Sequence, residues 1–291
     1  MIRILIAAVV ALGLVPASAP ETKKLVLLAG KPSHGPGDHE FRAGSLLLKK
    51  CLEKIPGLEV LVVPNGWPED PSVFDGAAAV VIYADGGPGH PFIQGGHLQV
   101  IAELAKKGVG IGAMHYGVEI LKDKGGPELT EWIGGYYESA YSCNPMWAPD
   151  YRKFPEHPIA RGVAPFSTHD EWYFNIRFRP GMKDVTPLLV AKPSDQVRKG
   201  PYVWPKGPYD HIVAASGQDE PTMWCVERPD GGRGFGFTGG HRHQNWGNDG
   251  QRKIVLNALV WLSKLDVPAG GVESTVTDDD LRANLDPKGK K

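Results

Sequence analysis

Five of the ten histidines of this 291-residue chain belong to three short motifs that could form one polar site. His34 and His39 lie in SHGPGDHEF, His115 lies in IGAMHYGVE, and His241 and His243 lie in GGHRHQNWG. Neutral imidazoles bind transition metals such as Zn²⁺, and a carboxylate often completes the ligand set. An imidazole that is oriented by a carboxylate can also act as a general base near neutral pH. The histidines therefore predict either a metal centre or an acid–base pocket.

The spacing within these motifs suggests individual roles. Glu119 follows His115 by four residues, which is one turn of a helix, and the H-x-H pair can face one side of an extended segment. The residues expected to carry out the chemistry are His115, His241, His243 and Glu119. The residues that could hold a divalent metal such as zinc are His34, His39, His115 and His241.

A second dense motif, THDEWYFN, places two acids next to two aromatic residues at positions 170–173. Carboxylates accept hydrogen bonds from sugar hydroxyls, and aromatic rings stack on the apolar face of a sugar. The alternative is an ordered loop in which Asp170 caps a turn and the rings belong to the core. The residues expected to bind substrate are His34, His39, Glu40, Asp170, Glu171, Trp172, Tyr173 and Trp246.

These motifs follow apolar runs that predict an α/β fold. Strands are predicted at 23–30, 58–63, 77–83, 108–114, 185–191, 222–228 and 232–239, and helices at 41–55, 99–108 and 249–264. Strands that alternate with helices indicate a parallel sheet covered on both faces. Ligands bind at the carboxyl ends of such strands, so the three histidine motifs are expected at one rim.

Other segments limit the function. Residues 123–180, rich in Gly, Pro, Tyr and Trp, are expected to form a long excursion of short strands and ordered loops. The match of GFGFTG to G-x-G-x-x-G does not open a helix, so no nucleotide is expected. The polar tail after Val267 is expected to be loosely attached. At most one disulfide can form among Cys51, Cys143 and Cys225, and the sequence does not say which.

Residues 1–19 have the features of a secretory signal peptide. Arg3 is followed by an apolar stretch that is shorter than the roughly 20 residues of a membrane span, and Ala17-Ser18-Ala19 is a small-residue cleavage site. The mature protein is therefore expected to be periplasmic or secreted, without stable membrane insertion. The formal net charge of −1 does not suggest a nucleic-acid partner.

The motifs SHGPGDHEF, IGAMHYGVE, DEWYFN and RGFGFTGGHRHQNWG together resemble the ThuA-like family, named for trehalose utilisation, within the class I glutamine amidotransferase-like superfamily. The resemblance extends from about Lys24 to Val267. It implies a flavodoxin-like three-layer α/β/α sandwich with a mostly parallel sheet. Amidotransferase relatives carry a G-x-C-x-G elbow; here Gly112 or His115 takes the place of that Cys, depending on the alignment. Without the thiol, glutamine hydrolysis is not expected.

The resemblance also links the chain to disaccharide use through 3-keto sugars. A signal peptide at 1–19, a ThuA-like domain at 20–267 and a tail at 268–291 then describe an exported enzyme that acts on a sugar or a 3-keto-glycoside. A keto group acidifies the neighbouring C–H bonds, so a base and an electrophile could drive elimination or isomerisation. One alternative is a non-catalytic sugar-binding protein on an amidotransferase-like scaffold. Another is an interaction module that uses the excursion as an interface.

Overall fold

A seven-stranded sheet forms the middle of the protein in the computed structural model, which describes residues 22–289. The strands, in chain order, are β1 (Lys23–Ala29), β2 (Leu58–Val63), β3 (Ala77–Tyr83), β4 (Gly110–Met114), β5 (Gly135–Tyr136), β6 (Met146–Trp147), β7 (Asp150–Tyr151), β8 (Phe166–Ser167), β9 (Asp170–Glu171), β10 (Arg177–Phe178), β11 (Val185–Ala191), β12 (Glu220–Glu227) and β13 (Arg233–Phe237). The helices are α1 (Phe41–Leu52), α2 (His97–Lys106), α3 (Gly126–Ile133), α4 (Asp195–Arg198), α5 (Asp210–Ala214), α6 (Asp249–Leu262) and α7 (Asp278–Arg282).

The central sheet has the strand order β11-β12-β13-β4-β3-β1-β2. The five strands from β13 to β2 pair in parallel, whereas β12 is antiparallel to both of its neighbours. The carboxyl ends of β1, β3, β4 and β13 therefore meet at one edge of the sheet.

Alternation along β1 shows how the layers form. Leu25 and Leu27 pack in a core with residues of α1 and α6, whereas Val26 and Leu28 pack in a second core with residues of α2 and α3. Because both faces are covered, nearly every residue of the inner strands is apolar, as in other buried parallel sheets. The predicted flavodoxin-like α/β/α sandwich is confirmed.

Residues 123–180 contain α3 and short antiparallel pairs, β5 with β10, β6 with β9 and β7 with β8. Glu119 was expected one helical turn after His115, but His115–Val118 form a single 3₁₀ turn and Glu119 after it is extended. Regular helix begins again only at α3, after Gly125, whose φ of 99° is left-handed.

The prediction of a loosely attached tail is wrong for its described part, residues 268–289. Val272 and Leu281 are buried, and α7 has a capping box formed by Thr277 and Asp280. Buried apolar residues and hydrogen bonds such as that from the Asp286 N–H to Glu40 hold a segment whose overall composition is polar.

All three cysteines are free thiols and all are buried. Within residues 22–289, no helix combines the length and the apolar character that crossing a membrane requires. The predicted signal peptide at 1–19 lies outside the described residues.

Candidate metal centre

Four side chains from distant parts of the sequence meet at the carboxyl edge of the sheet. His39 follows β1, His115 follows β4, His241 follows β13, and Glu171 belongs to β9 in the excursion. All four residues are buried, and their possible ligand atoms all lie within 4.8 Å of one another. We call this set the four-residue cluster.

The distances within the four-residue cluster are short. His39 Nε2 lies 3.0 Å from His115 Nε2 and 2.9 Å from His241 Nδ1. Glu171 Oε2 lies 2.7 Å from His241 Nδ1 and 3.8 Å from His115 Nε2. Three ring nitrogens and one carboxylate oxygen thus surround a common point.

The outer nitrogens of two of these rings determine where their protons lie. His39 Nδ1 is 3.0 Å from Asp85 Oδ1, and His115 Nδ1 is 3.0 Å from the carbonyl oxygen of Thr238. A carboxylate and a carbonyl accept hydrogen bonds, so each Nδ1 donates its proton outward and each Nε2 presents a lone pair. Two lone pairs that face each other at 3.0 Å repel unless a proton or a metal cation lies between them.

A proton is unfavourable between these two nitrogens. Burial lowers the pKa of His39 and of His115 well below the ordinary value, and the neighbouring histidines lower the pKa of both further. Burial also acts to lower the pKa of His241, but its hydrogen bond to Glu171 and the charge of Glu171 raise that pKa above the ordinary value. Three imidazoles and a carboxylate are a ligand set that Zn²⁺ binds, so these residues fit a divalent transition metal.

Three of the predicted site histidines adopt a backbone conformation that is rare for any residue except glycine. The φ angles are 59° at His34, 48° at His39 and 50° at His115. Such strain is common where a site must aim a side chain. His115 lies in the turn directly after β4, so of the two alignments the structure favours the one that places His115 at the position of the missing Cys. Gly112 lies inside β4, where a Cβ atom would be 2.5 Å from the Phe235 ring.

Hydrogen bonds from neighbouring residues hold the side chains of the four-residue cluster in place. Asp85 Oδ1 also accepts a bond from Ser33 Oγ at 3.0 Å, and Asn144 Nδ2 donates to Glu171 Oε1 at 2.8 Å. Asp170 accepts from the backbone N–H groups of residues 240 and 242, at 2.9 and 3.1 Å, on either side of His241. Asp170, which was predicted to bind substrate, thus positions the loop that carries His241.

His34, which was predicted as a metal ligand, stands at the outer edge of the site. Its ring lies against that of His39 with centroids 3.6 Å apart and the planes tilted by 30°, and its side chain is 42% exposed. With His39 and Asp85 it forms a second group whose possible ligand atoms lie within 4.8 Å of one another. Glu171, which was predicted to bind substrate, takes the fourth place in the four-residue cluster.

Several other predicted site residues point elsewhere. His243 is buried near Glu40 and Asp286, because the chain turns into a 3₁₀ helix at His243 instead of remaining extended. Trp172 and Trp246 are fully buried in the core, so neither ring offers a surface to a substrate. For Trp172, the core alternative is the one that the structure supports.

Glu40 has a structural environment. It accepts hydrogen bonds from the backbone N–H groups of Gly37 and Asp286 at 3.0 and 2.8 Å. Its side chain therefore connects the loop after β1 to the C-terminal segment.

Tyr173 and Glu119 lie close to the four-residue cluster. The Tyr173 hydroxyl is 3.4 Å from His115 Nε2. Burial, together with the charge of Glu171, raises the pKa of Glu119 to about 8. A carboxyl group with that pKa can hold or release a proton near neutral pH.

Sequence reasoning missed Asp85 and Asn144. Asp85 comes directly after the apolar run of β3, so the rule that selects the carboxyl ends of strands could have found it. Asn144 lies in the excursion, where no strand pattern marks its position.

The fold and the site define a flavodoxin-like α/β/α protein in which a buried histidine occupies the turn directly after β4. Residues 75–262, more than half of the 291-residue chain, match the ThuA family, described as trehalose utilisation. The chain belongs to the ThuA family.

Solved structures of two ThuA-like proteins have a similar fold. The protein from Bacteroides uniformis has a TM-score of 0.58 and 17% identity, with 86% of this chain and 94% of that chain covered. The protein from Parabacteroides merdae has a TM-score of 0.55 and 17% identity, with 89% and 94% covered. At this identity the similarity concerns the fold alone. No curated protein matches the chain.

Proposed function

We propose that this chain is a metal-dependent enzyme that acts on a sugar or a 3-keto-glycoside. The observation that carries the proposal is the 3.0 Å distance between His39 Nε2 and His115 Nε2, two buried nitrogens whose lone pairs a bound cation would hold together. The family description, trehalose utilisation, supports a carbohydrate substrate. A strained, buried histidine cluster is also more than sugar binding alone needs.

The roles of the residues follow from their contacts. His39, His115, His241 and Glu171 would hold the metal, which when bound supplies a Lewis acid that polarises a substrate oxygen. Asp85 and the Thr238 carbonyl fix the tautomers of His39 and His115. Glu119 holds or transfers a proton, and half-exposed His34 meets the substrate from the solvent side.

A thiol mechanism is not part of the proposal. His115 occupies the elbow, and burial raises the pKa of Cys51, Cys143 and Cys225, so these thiols are poor nucleophiles.

The metal content of protein purified without an affinity tag tests the centre. We expect near-stoichiometric transition metal in the wild type and a loss of most of it in His115→Ala and His241→Ala. His211→Ala, which removes an exposed histidine from α5, is the control and should retain the metal. A wild type that stays metal-free after incubation with Zn²⁺ would refute the centre.

Turnover tests the reaction. The metal-loaded wild type should convert 3-keto-glycosides, and His115→Ala should not. The reaction is measured by the disappearance of the substrate. Equal rates in the two proteins would show that the four-residue cluster is not the active site.

A further inference from the structure

A cavity lies at the same edge of the sheet as the four-residue cluster. Its volume is about 450 Å³, which is in the range of small-molecule sites. The segments that follow β1, β2 and β3 and the first turn of α2 form its walls. The lining side chains that matter here are Lys31, Asn65, Trp67, Asp85, Gln94 and His97.

Asp85 connects this cavity to the candidate metal centre. Its side chain is 36% exposed and lines the cavity, while its Oδ1 accepts a hydrogen bond from His39 Nδ1. The Asp85 carboxylate would therefore lie between a ligand in the cavity and His39 of the four-residue cluster.

Trp67 gives the cavity a rigid apolar wall. Its ring stacks on His97 with centroids 3.8 Å apart and an interplanar angle of 4°, and it also packs on Phe74 at 5.3 Å. His97 is fixed in turn because its Nδ1 lies 2.8 Å from the Pro91 carbonyl oxygen. A partly exposed indole held in this way suits the C–H face of a sugar ring.

The polar groups around Trp67 suit a neutral ligand that is rich in hydroxyl groups. Lys31 and Asp85 have opposite charges, so neither an anion nor a cation is favoured overall. The Nε2 of Gln94 donates to the carbonyl oxygens of Pro88 and His90, which leaves its amide oxygen as an acceptor for a ligand. Exposed Asn65 adds another amide.

We propose that this cavity binds the second sugar ring of a glycoside whose reacting ring lies at the four-residue cluster. This inference rests on the proposed function and adds to it the place of the second ring, beside Trp67.

Another cavity, of about 530 Å³, is at the other edge of the sheet, near Arg233 at the start of β13. It contains the His157 and Cys225 side chains, 3.6 Å apart. Burial raises the pKa of the Cys225 thiol to about 12, so this pair does not form a nucleophile, and the cavity is remote from the four-residue cluster.

Calorimetric titration tests the second-ring site. Trehalose, maltose and cellobiose are compared with glucose as ligands of the metal-loaded wild type, Trp67→Ala and Trp67→Phe. We expect at least one disaccharide to bind more tightly than glucose, and Trp67→Ala to reduce that preference about tenfold or more. Trp67→Phe should keep part of it. The control Trp204→Ala removes a tryptophan that is 71% exposed and should change nothing.

The possible outcomes separate this inference from the proposed function. Unchanged disaccharide preference in Trp67→Ala would overturn the second-ring site, as would a wild type that binds none of the three disaccharides. Metal content is measured in the same samples, so the four-residue cluster is tested independently. If Trp67→Ala does not fold, Gln94→Ala removes one acceptor from the rim, and it should weaken disaccharide binding but not glucose binding.

Discussion

At the scale of single residues, the site depends on a backbone conformation that histidine rarely adopts. His39 and His115 both have φ near +50°, and each donates a proton outward to a fixed acceptor. The left-handed backbone costs free energy, which the surrounding structure must offset. The gain is a pair of Nε2 atoms aimed at a common point.

This strain can be measured at the elbow. His115→Gly and His115→Ala both remove the ligand, but glycine accepts a φ of 50° without the steric cost that alanine pays. We therefore expect His115→Gly to be more stable than His115→Ala by about 1 kcal/mol in denaturant unfolding of metal-free protein. At helical His211 in α5, the same pair should show the opposite order. Equal stabilities at position 115 would mean that this turn is not strained.

The protonation of Glu119 makes a prediction about pH. Because burial raises its pKa from 4.5 to about 8, the folded protein holds this proton over a range in which the unfolded chain releases it. The folded state then binds more protons than the unfolded state, so its stability falls as the pH rises from about 5 to 8. Glu119→Gln removes this term, and its stability relative to the wild type should grow by up to roughly 1.4 kcal/mol per pH unit.

Unfolding of the metal-free proteins by denaturant at several pH values measures this difference. Glu69→Gln, at an exposed loop position, is the matched control and should show no such trend. A stability difference for Glu119→Gln that does not depend on pH would contradict the assignment of Glu119 as a protonated carboxyl group.

At the scale of elements, the loop between β1 and α1 is held by the C-terminal segment. Lys288 donates hydrogen bonds to the carbonyl oxygens of Asp38 and His39, and its Nζ lies 3.2 Å from Glu40 Oε1. The Lys288 side chain is 5% exposed, so water screens these contacts little. The tail thus positions His39 through a contact with its backbone carbonyl oxygen.

Removal of this contact should loosen the metal site. We expect Lys288→Met to weaken Zn²⁺ binding about tenfold, because the loop that carries His39 loses the hydrogen bonds that Lys288 donates to it. Competition with a chromogenic chelator measures the affinity. Lys106→Met, which breaks an exposed ion pair with Glu103 on α2, is the control. An unchanged affinity for Zn²⁺ in Lys288→Met would show that the contact with the tail does not support the metal site.

At the scale of the whole molecule, a metal in the four-residue cluster would connect segments that are distant in sequence. Its ligands follow β1, β4 and β13 and include one residue of the excursion, Glu171. A ligand that binds the folded state alone stabilises it by about 2.7 kcal/mol when its free concentration is about a hundred times Kd.

The melting temperature should therefore depend on metal. Treatment of the wild type with a chelator should lower Tm by several degrees, and Zn²⁺ should restore it in thermal unfolding followed by circular dichroism. His241→Ala, which lacks one ligand, should already have the low Tm and respond little to either treatment. A wild-type Tm that is insensitive to both reagents would contradict a metal that joins these segments.

The sequence by itself determined the architecture and the edge of the sheet at which to look. Apolar runs such as 77–83 are local signals, and burial on both faces of a parallel sheet makes them easy to read. The three histidine motifs follow strands, so their approximate meeting place was predictable as well.

The tertiary structure decided which side chains converge. The four-residue cluster contains Glu171 and not the predicted His34, and His243 lies away from it. Asp85, which was not predicted, is the hydrogen-bond partner of His39. Loop side chains take their directions from individual φ and ψ angles and from contacts with residues as distant as Lys288. Those contacts have no periodic trace in the sequence, because they depend on where the whole chain places its loops, so only the folded molecule could reveal them.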